Sequence, residues 1–324
     1  MSNFKNLEAA ECADALFKIK NPLILIHVRP DGDCIGSAAA LSLIFSELGK
    51  KAEIASSDKI PDRLKFILEK TGACITENYN GKTAISVDVA SPAQLGDLAE
   101  IAPAPVLMID HHAVGVRYAD GYVKPDSSST GEVLYDIAEE LIKQGKIKMT
   151  KPLAYALYTA ISSDTGCFCY SNATPDTYRK AARLMESGID YPDINHRLFN
   201  SKSERQIKAE GFIASILKTA KDGKIAYAAL KNSDKESLAL CDDDFETAID
   251  VVRSVLGAKT ALFVRETDNG KIKASLRSTD NDVAGVAAKF GGGGHVRAAG
   301  CSPNAKCAEE ATKMILDELY KLYE

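Results

Sequence analysis

Short apolar runs alternate with stretches of helical spacing from Leu23 to Leu107. Leu23-Ile24-Leu25-Ile26-His27-Val28 reads as a buried strand, Ser37 to Leu48 as a helix stopped by Gly49, and Lys51 to Ala55 as a second strand. Thr83 to Asp88 and Pro105 to Asp110 follow as further strands with helices between them. Strands that alternate with helices in this way predict a mostly parallel sheet covered on both faces. Thr130 through Ile161 carries two helical segments broken between Gly145 and Pro152, leading into Ser162-Ser163-Asp164-Thr165-Gly166. Helical spacing resumes over Ser203 to Lys218.

The pattern changes near Thr219 to Gly223, where a linker is expected, and Ile225 to Leu230 opens a second set of elements. Lys259 to Glu266 and Lys271 to Arg277 read as a hairpin turning at Asp268-Asn269-Gly270, Glu246 to Leu256 as a helix, and Cys307 to Tyr323 as a closing helix. The expected fold class is therefore α/β. A mostly parallel N-terminal sheet flanked by helices, residues 1–218, is joined by a linker to a smaller α/β domain, residues 219–324, with the active cleft expected between them.

Size supports this division, because 324 residues, 45% hydrophobic and 26% charged, exceed what one core usually sustains. No apolar run is long enough to span a bilayer and the first residues lack a signal-peptide pattern, so a cytoplasmic protein without membrane partners is expected. The eight cysteines are scattered without a C-x-x-C pair, which suggests neither a disulfide framework nor a zinc site. A formal net charge of -5 without a long Lys/Arg run argues against a partner held by counterion release, such as long duplex nucleic acid. An anionic substrate should be small or gripped locally.

Candidate chemistry lies at the expected strand ends: His27-x-x-x-Asp31-x-Asp33, then Asp88, then Asp110-His111-His112, and finally Asp164 after a helix. A single loop Asp is ordinarily a turn residue or a helix cap. Ligands of open parallel sheets collect beyond the carboxyl ends of the strands, so these segments should converge on one rim. Carboxylates gathered there repel one another unless cations intervene, which points to metal, with two ions expected. Asp88, alone between the other motifs, is the natural bridge, and mixed imidazole and carboxylate ligation suits manganese, with Mg2+ or Co2+ as substitutes. Helical geometry turns Cys34 away from its neighbour Asp33.

These segments, as His27-Val28-Arg29-Pro30-Asp31-Gly32-Asp33-Cys34-Ile35-Gly36-Ser37, Val87-Asp88, Asp110-His111-His112 and Ser163-Asp164-Thr165-Gly166, resemble the four motifs of the DHH phosphoesterase superfamily. Ser275-Leu276-Arg277-Ser278 and Gly291-Gly292-Gly293-Gly294-His295-Val296-Arg297-Ala298-Ala299-Gly300 resemble its DHH-associated C-terminal domain. In length and pairing the chain is most similar to the bacterial nanoRNase branch, which acts as oligoribonuclease and as phosphatase of 3'-phosphoadenosine 5'-phosphate (pAp).

The resemblance implies that His27, Asp31 and Asp88 hold one manganese ion while Asp33, Asp88, His111 and Asp164 hold the other. It implies that His112 faces the substrate, where an imidazole can donate a hydrogen bond or a proton. Asp110 is expected to orient a histidine rather than to bind metal. In the second domain, Gly292, Gly293 and Gly294 would let backbone approach a phosphate, with His295, Arg297, Arg277 and Ser278 supplying donors. Tyr118, Tyr122 and Phe168 read first as packing residues and only second as base-stacking ones. Cys34 stands where the superfamily usually has a small apolar residue, which should alter redox sensitivity more than ligation.

The leading expectation is a manganese-dependent phosphoesterase that uses activated water to degrade short RNA oligonucleotides or dinucleotides to mononucleotides, and pAp to AMP. A cyclic-dinucleotide phosphodiesterase shares every motif, although many such relatives carry membrane and sensory domains that this chain lacks. A pyrophosphatase or exopolyphosphatase would share the first-domain motifs but have no use for the glycine run. A silent nucleotide-binding module would show a broken ligand set. A homodimer is compatible with these features.

Overall fold

In the computed structural model, which describes residues 4–323, the chain divides at Ser201/Lys202 into two units. The first runs α1 (Ala9–Lys18), β1 (Pro22–Leu25), α2 (Gly32–Glu47), β2 (Glu53–Ala55), α3 (Lys65–Thr71), β3 (Thr83–Val87), α4 (Leu98–Ile101), β4 (Leu107–Asp110) and β5 (Asp120–Val123). It continues through α5 (Thr130–Lys143), α6 (Lys151–Asp164), α7 (Pro175–Glu186) and α8 (Tyr191–Asn195). Its sheet has the order β2-β1-β3-β4-β5 with every pair parallel, as the alternation of strands and helices predicts.

Both faces of this sheet are covered. Ile24 of β1 joins the core formed with α2, α5 and α6, while Leu23 and Leu25 turn to the opposite face against Ala84, Leu95 and Leu98. Such two-sided burial is why β1 reads as a continuous apolar run rather than an alternating one. Helices α2 and α6 approach closely at Gly36, where a Cβ would lie 2.9 Å from the backbone nitrogen of Ala160.

Two local departures from the sequence expectation have physical causes. Helix α2 begins at Gly32 rather than Ser37, because the Asp31 carboxylate accepts the Cys34 N–H at 3.0 Å and caps the helix there. Strand β5 lacks a periodic signature, being only four residues with Gly121 inside it, and it is held by pairing with β4.

The second unit contains α9 (Glu204–Ile216), β6 (Lys218–Ala220), β7 (Ile225–Leu230), α10 (Asn232–Leu238), α11 (Ala248–Arg253), β8 (Thr260–Glu266) and β9 (Ile272–Ser278). It closes with α12 (Val283–Ala288), β10 (Gly293–His295), β11 (Ala298–Cys301) and α13 (Ala308–Tyr320). Its mixed sheet has the order β10-β11-β9-β8-β7-β6, and β8 and β9 form the expected antiparallel hairpin. The sequence reading divides the domains at 218/219. The units instead part before α9, because Ala209 and Ile213 of that helix are buried against Ala226, Phe245 and Phe263 of the second unit. Among the described residues no helix is long and apolar enough to cross a membrane.

Candidate metal centre and anion-binding edge

Three strand ends and two helix ends of the first unit bring the charged motifs together. The chain leaves β1 through His27 and enters α2 with Asp33 in its first turn, and Asp88 follows β3 directly. Asp110 ends β4 with His111 and His112 beyond it, and Asp164 is the last residue of α6. Asp88 adopts a left-handed backbone with φ of 60°, a conformation that short polar residues tolerate best.

The two oxygens of Asp88 face different histidines. Its Oδ2 lies 3.4 Å from His27 Nε2, and its Oδ1 lies 3.8 Å from His111 Nε2. Around His27, Oδ1 of Asp31 stands 4.0 Å away. Around His111, Oδ2 of Asp164 is at 3.2 Å and Oδ2 of Asp33 at 3.9 Å. His112 differs from the other two: its Nδ1 sits 2.7 Å from Asp110 Oδ1, so Asp110 contacts and orients a histidine, as the sequence suggests. The structure therefore brings His27, Asp31, Asp33, Asp88, His111, His112 and Asp164 into one cluster.

The electrostatics of the cluster call for added positive charge. Burial, together with the charges of Asp88 and Asp31, holds Asp33 well above the usual carboxylate range. Burial and the charge of Asp33 do the same to Asp164. Burial would also raise Asp88, but contact with His27 and the charge of His111 hold it below that range. Burial would lower both remaining histidines, yet contact with Asp88 and Cys34 pushes His27 up to about 12, and Asp110 pushes His112 up to about 9. Crowding of this kind is what divalent cations would offset, in exchange for protons. Donor atoms of Asp33, His111 and Asp164 lie within 4.8 Å of one another, as do those of Asp88, His111 and His112, and these oxygen and imidazole sets fit such cations.

Several supporting residues were not among the expected site residues. Thr130 and Gly131, opening α5, donate backbone N–H groups to the two oxygens of Asp33 at 2.8 and 3.0 Å, and Ser37 Oγ donates to Oδ1 at 2.9 Å. The Thr130 hydroxyl donates to Asp88 Oδ1 at 2.9 Å. The run of small polar residues from Ser127 to Gly131 ahead of an apolar helix was the available signal. Cys34 turns away from Asp33 as helical geometry requires, and its sulfur meets His27 and Asp88 instead, with donor atoms within 4.8 Å of one another. Tyr122 is buried in the core, and the Tyr118 hydroxyl donates to the Val89 carbonyl at 2.9 Å and lies 2.7 Å from Ser86 Oγ, so both serve packing.

In the second unit the end of the glycine run is strand, Gly293 and Gly294 opening β10, while Gly291 and Gly292 lead into it. Gly293, Gly294 and His295 pair with Gly300, Ala299 and Ala298 of β11, and Ala298 pairs in turn with Arg277 of β9. Directly opposed residues share a sheet face, so His295 and Arg277 lie on one face, two strands apart. At Gly292 a Cβ would come 2.1 Å from the Gly300 carbonyl oxygen, so only glycine fits. Ser278 instead organises the turn after β9: its hydroxyl donates to the Lys259 carbonyl at 2.8 Å and accepts the Asn281 N–H at 2.9 Å. Arg297 lies between β10 and β11, and its carbonyl accepts the Ser278 N–H at 2.9 Å.

Residues 21–161 match the DHH family, N-terminal domain, and residues 222–321 match the DHHA1 domain. Over 94% of its length the chain is 28% identical to the bifunctional oligoribonuclease and PAP phosphatase NrnA of Thermus thermophilus, covering 91% of that protein. It is 29% identical to the protein of the same name from Bacillus subtilis, over 85% of this chain and 87% of the relative. Among solved structures, an exopolyphosphatase-related protein from Bacteroides fragilis superposes with a TM-score of 0.87 at 26% identity, covering 97% of this chain and 96% of that one.

Proposed function

The chain belongs to the DHH family, and from that membership we propose that it is a divalent-metal-dependent phosphoesterase. Its substrates in this reading are short oligoribonucleotides and dinucleotides, cleaved to mononucleotides, and pAp, cleaved to AMP. The observation that carries the proposal is the single cluster in which Asp88 turns one oxygen toward His27 and the other toward His111. The names of the full-length relatives supply the substrate class, and the glycine-edged strand with His295 and Arg277 on one face supports a phosphate-bearing ligand.

In this reading His27, Asp31 and Asp88 hold one ion, and Asp33, Asp88, His111 and Asp164 hold the second, with manganese the expected metal. When bound, the ions supply positive charge to phosphate oxygens and acidify water for attack. The remaining work falls to the chain. Asp88 spans the two positions, and Asp33 is fixed by the N–H groups of Thr130 and Gly131, so both carboxylates are set before substrate arrives. Asp110 holds Nδ1 of His112, and in this reading its Nε2 would donate a hydrogen bond or a proton to a phosphate or leaving oxygen. Arg277, Arg297 and His295 provide charge-assisted donors for a phosphate of the substrate, beside the backbone of Gly292, Gly293 and Gly294.

Product profiling tests this directly. Purified protein with Mn2+ is given labelled oligoribonucleotides of graded length, pAp and cyclic di-AMP in parallel, with Asp88→Asn as control. Rapid release of mononucleotides from the shortest oligomers, and of AMP from pAp, is the expected result, with Asp88→Asn inactive on all. Exclusive turnover of cyclic di-AMP would overturn the substrate assignment.

A further inference from the structure

Cys34 is the one soft donor in a cluster otherwise built of oxygen and nitrogen. It sits in the first turn of α2, fully buried, and its sulfur shares a 4.8 Å neighbourhood with a ring nitrogen of His27 and a carboxylate oxygen of Asp88. Tetrahedral ligands bound at roughly 2.0–2.3 Å stand about 3.5 Å apart, so side-chain adjustments of about 1 Å would bring these donors onto one ion. Asp31 Oδ1, 4.0 Å from His27 Nε2, is placed to complete a set of four. The group around His111 contains no sulfur: Asp33, His111 and Asp164 offer only oxygen and nitrogen.

We propose that Cys34 ligates the ion held by His27 and Asp88, so that the two metal positions are chemically unequal and the first prefers a thiophilic divalent ion such as Co2+ or Zn2+ over Mn2+. The proposal rests on the metal-dependent reading above and refines it. Thiolate ligation selects zinc and cobalt over manganese, whereas carboxylate and imidazole discriminate less. As the sulfur–metal bond forms, the thiol proton passes to bulk water, and neither sulfur nor metal changes oxidation state. The centre would then hold a softer ion beside Cys34 and a harder one beside Asp164.

Cobalt reports on this without any turnover. The metal-free full-length protein, kept reduced and anaerobic, is titrated with Co2+ and followed by absorption. The expected result is a sulfur-to-cobalt charge-transfer band in the near ultraviolet that saturates with the first ion bound and is missing in Cys34→Ala. The Co2+/Mn2+ affinity ratio at that position should fall by at least about tenfold in the variant, the size of effect typical of a lost metal-site contact. Cys34→Ser, which keeps the volume but offers a hard oxygen, should behave like Cys34→Ala and supplies the same answer should the alanine variant fold poorly. Visible ligand-field bands without a charge-transfer band, or a charge-transfer band that survives in both variants, would overturn the assignment of Cys34 while leaving the metal centre standing. Absence of any cobalt binding would overturn both.

Discussion

The hydroxyl of Thr130 donates a 2.9 Å hydrogen bond to the oxygen of Asp88 that faces His111, and the backbone N–H of the same residue holds Asp33. One residue at the start of α5 thus orients two buried carboxylates of the cluster. Thr130→Val keeps the shape and the N–H but removes the hydroxyl, leaving a buried carboxylate oxygen short of a partner. The expected cost is about 1–3 kcal/mol of stability, with weaker Mn2+ binding. Thr130→Ser should restore both. Thermal melts and manganese titrations of the two variants check this, and a valine variant with native metal affinity would remove Thr130 from the positioning role.

How much of this was legible in the sequence depends on whether a residue's role is local. The parallel sheet was readable because β1, β3 and β4 are buried on both faces and so appear as apolar runs, with the charged motifs at their ends. The start of α2 was not, because Asp31 is both a candidate ligand and the residue that caps the helix through Cys34 N–H. Thr130 escaped notice because its partners, Asp33 and Asp88, are distant in sequence and its own neighbourhood reads only as a polar helix start. For Cys34, helical geometry excludes Asp33 but says nothing of His27 and Asp88, which arrive from other strands. Gly293 and Gly294 became part of an edge strand because β11 offers them a ladder that no local pattern reveals.

Arg277→Ala and His295→Ala are expected to weaken substrate capture without changing metal content, since both lie on β-strands of the second unit's sheet rather than in the metal cluster. Loss of one charge-assisted hydrogen bond is worth roughly 1.5–3 kcal/mol, or about ten- to a hundredfold in kcat/KM. Hydrolysis of bis-p-nitrophenyl phosphate, which has no second phosphate to grip, should fall much less. Steady-state kinetics on both substrates decide the matter: equal losses would show that these residues act on the reacting phosphate itself.

Lys180 supports the site from below. Its buried Nζ meets Glu132 at 3.1 Å, Asp136 at 2.6 Å and Asp176 at 3.0 Å, and Glu132 in turn accepts the N–H of Ser128, just ahead of Thr130. Burial would lower this lysine's pKa, but Asp136 and its other acidic partners raise it above the ordinary lysine value. A raised pKa stabilises the fold fully below the unfolded value, about 10.4, and the benefit is lost only as pH rises through the folded one, so it persists at neutral pH. Lys180→Met strips the cation from a buried carboxylate and should cost on the order of 3 kcal/mol, lowering Tm by roughly 6–12 °C. Melting curves near neutral pH provide the measurement, and an unchanged Tm would mean that Glu132 is satisfied by its serine and threonine partners alone.

Substrate length is the last expectation. The chain carries 40 basic and 45 acidic residues, and positions 221–324 carry 15 basic and 17 acidic, so the composition supplies no surplus of cations for a long phosphate backbone. If Arg277, His295 and Arg297 grip the substrate as proposed, each further nucleotide adds charge that meets an acidic protein, and affinity gains little. Substrates of two to about five nucleotides should be degraded fastest, in line with the small sites of single-strand binders. With only one or two phosphates neutralised, log(kcat/KM) should fall with log salt at a slope of about −0.7 to −1.4. Measuring kcat/KM against oligomer length at several salt concentrations tests both halves of the argument. A rate that keeps climbing to about twenty nucleotides, with a slope several times steeper, would require a basic track along the protein that its charge does not provide.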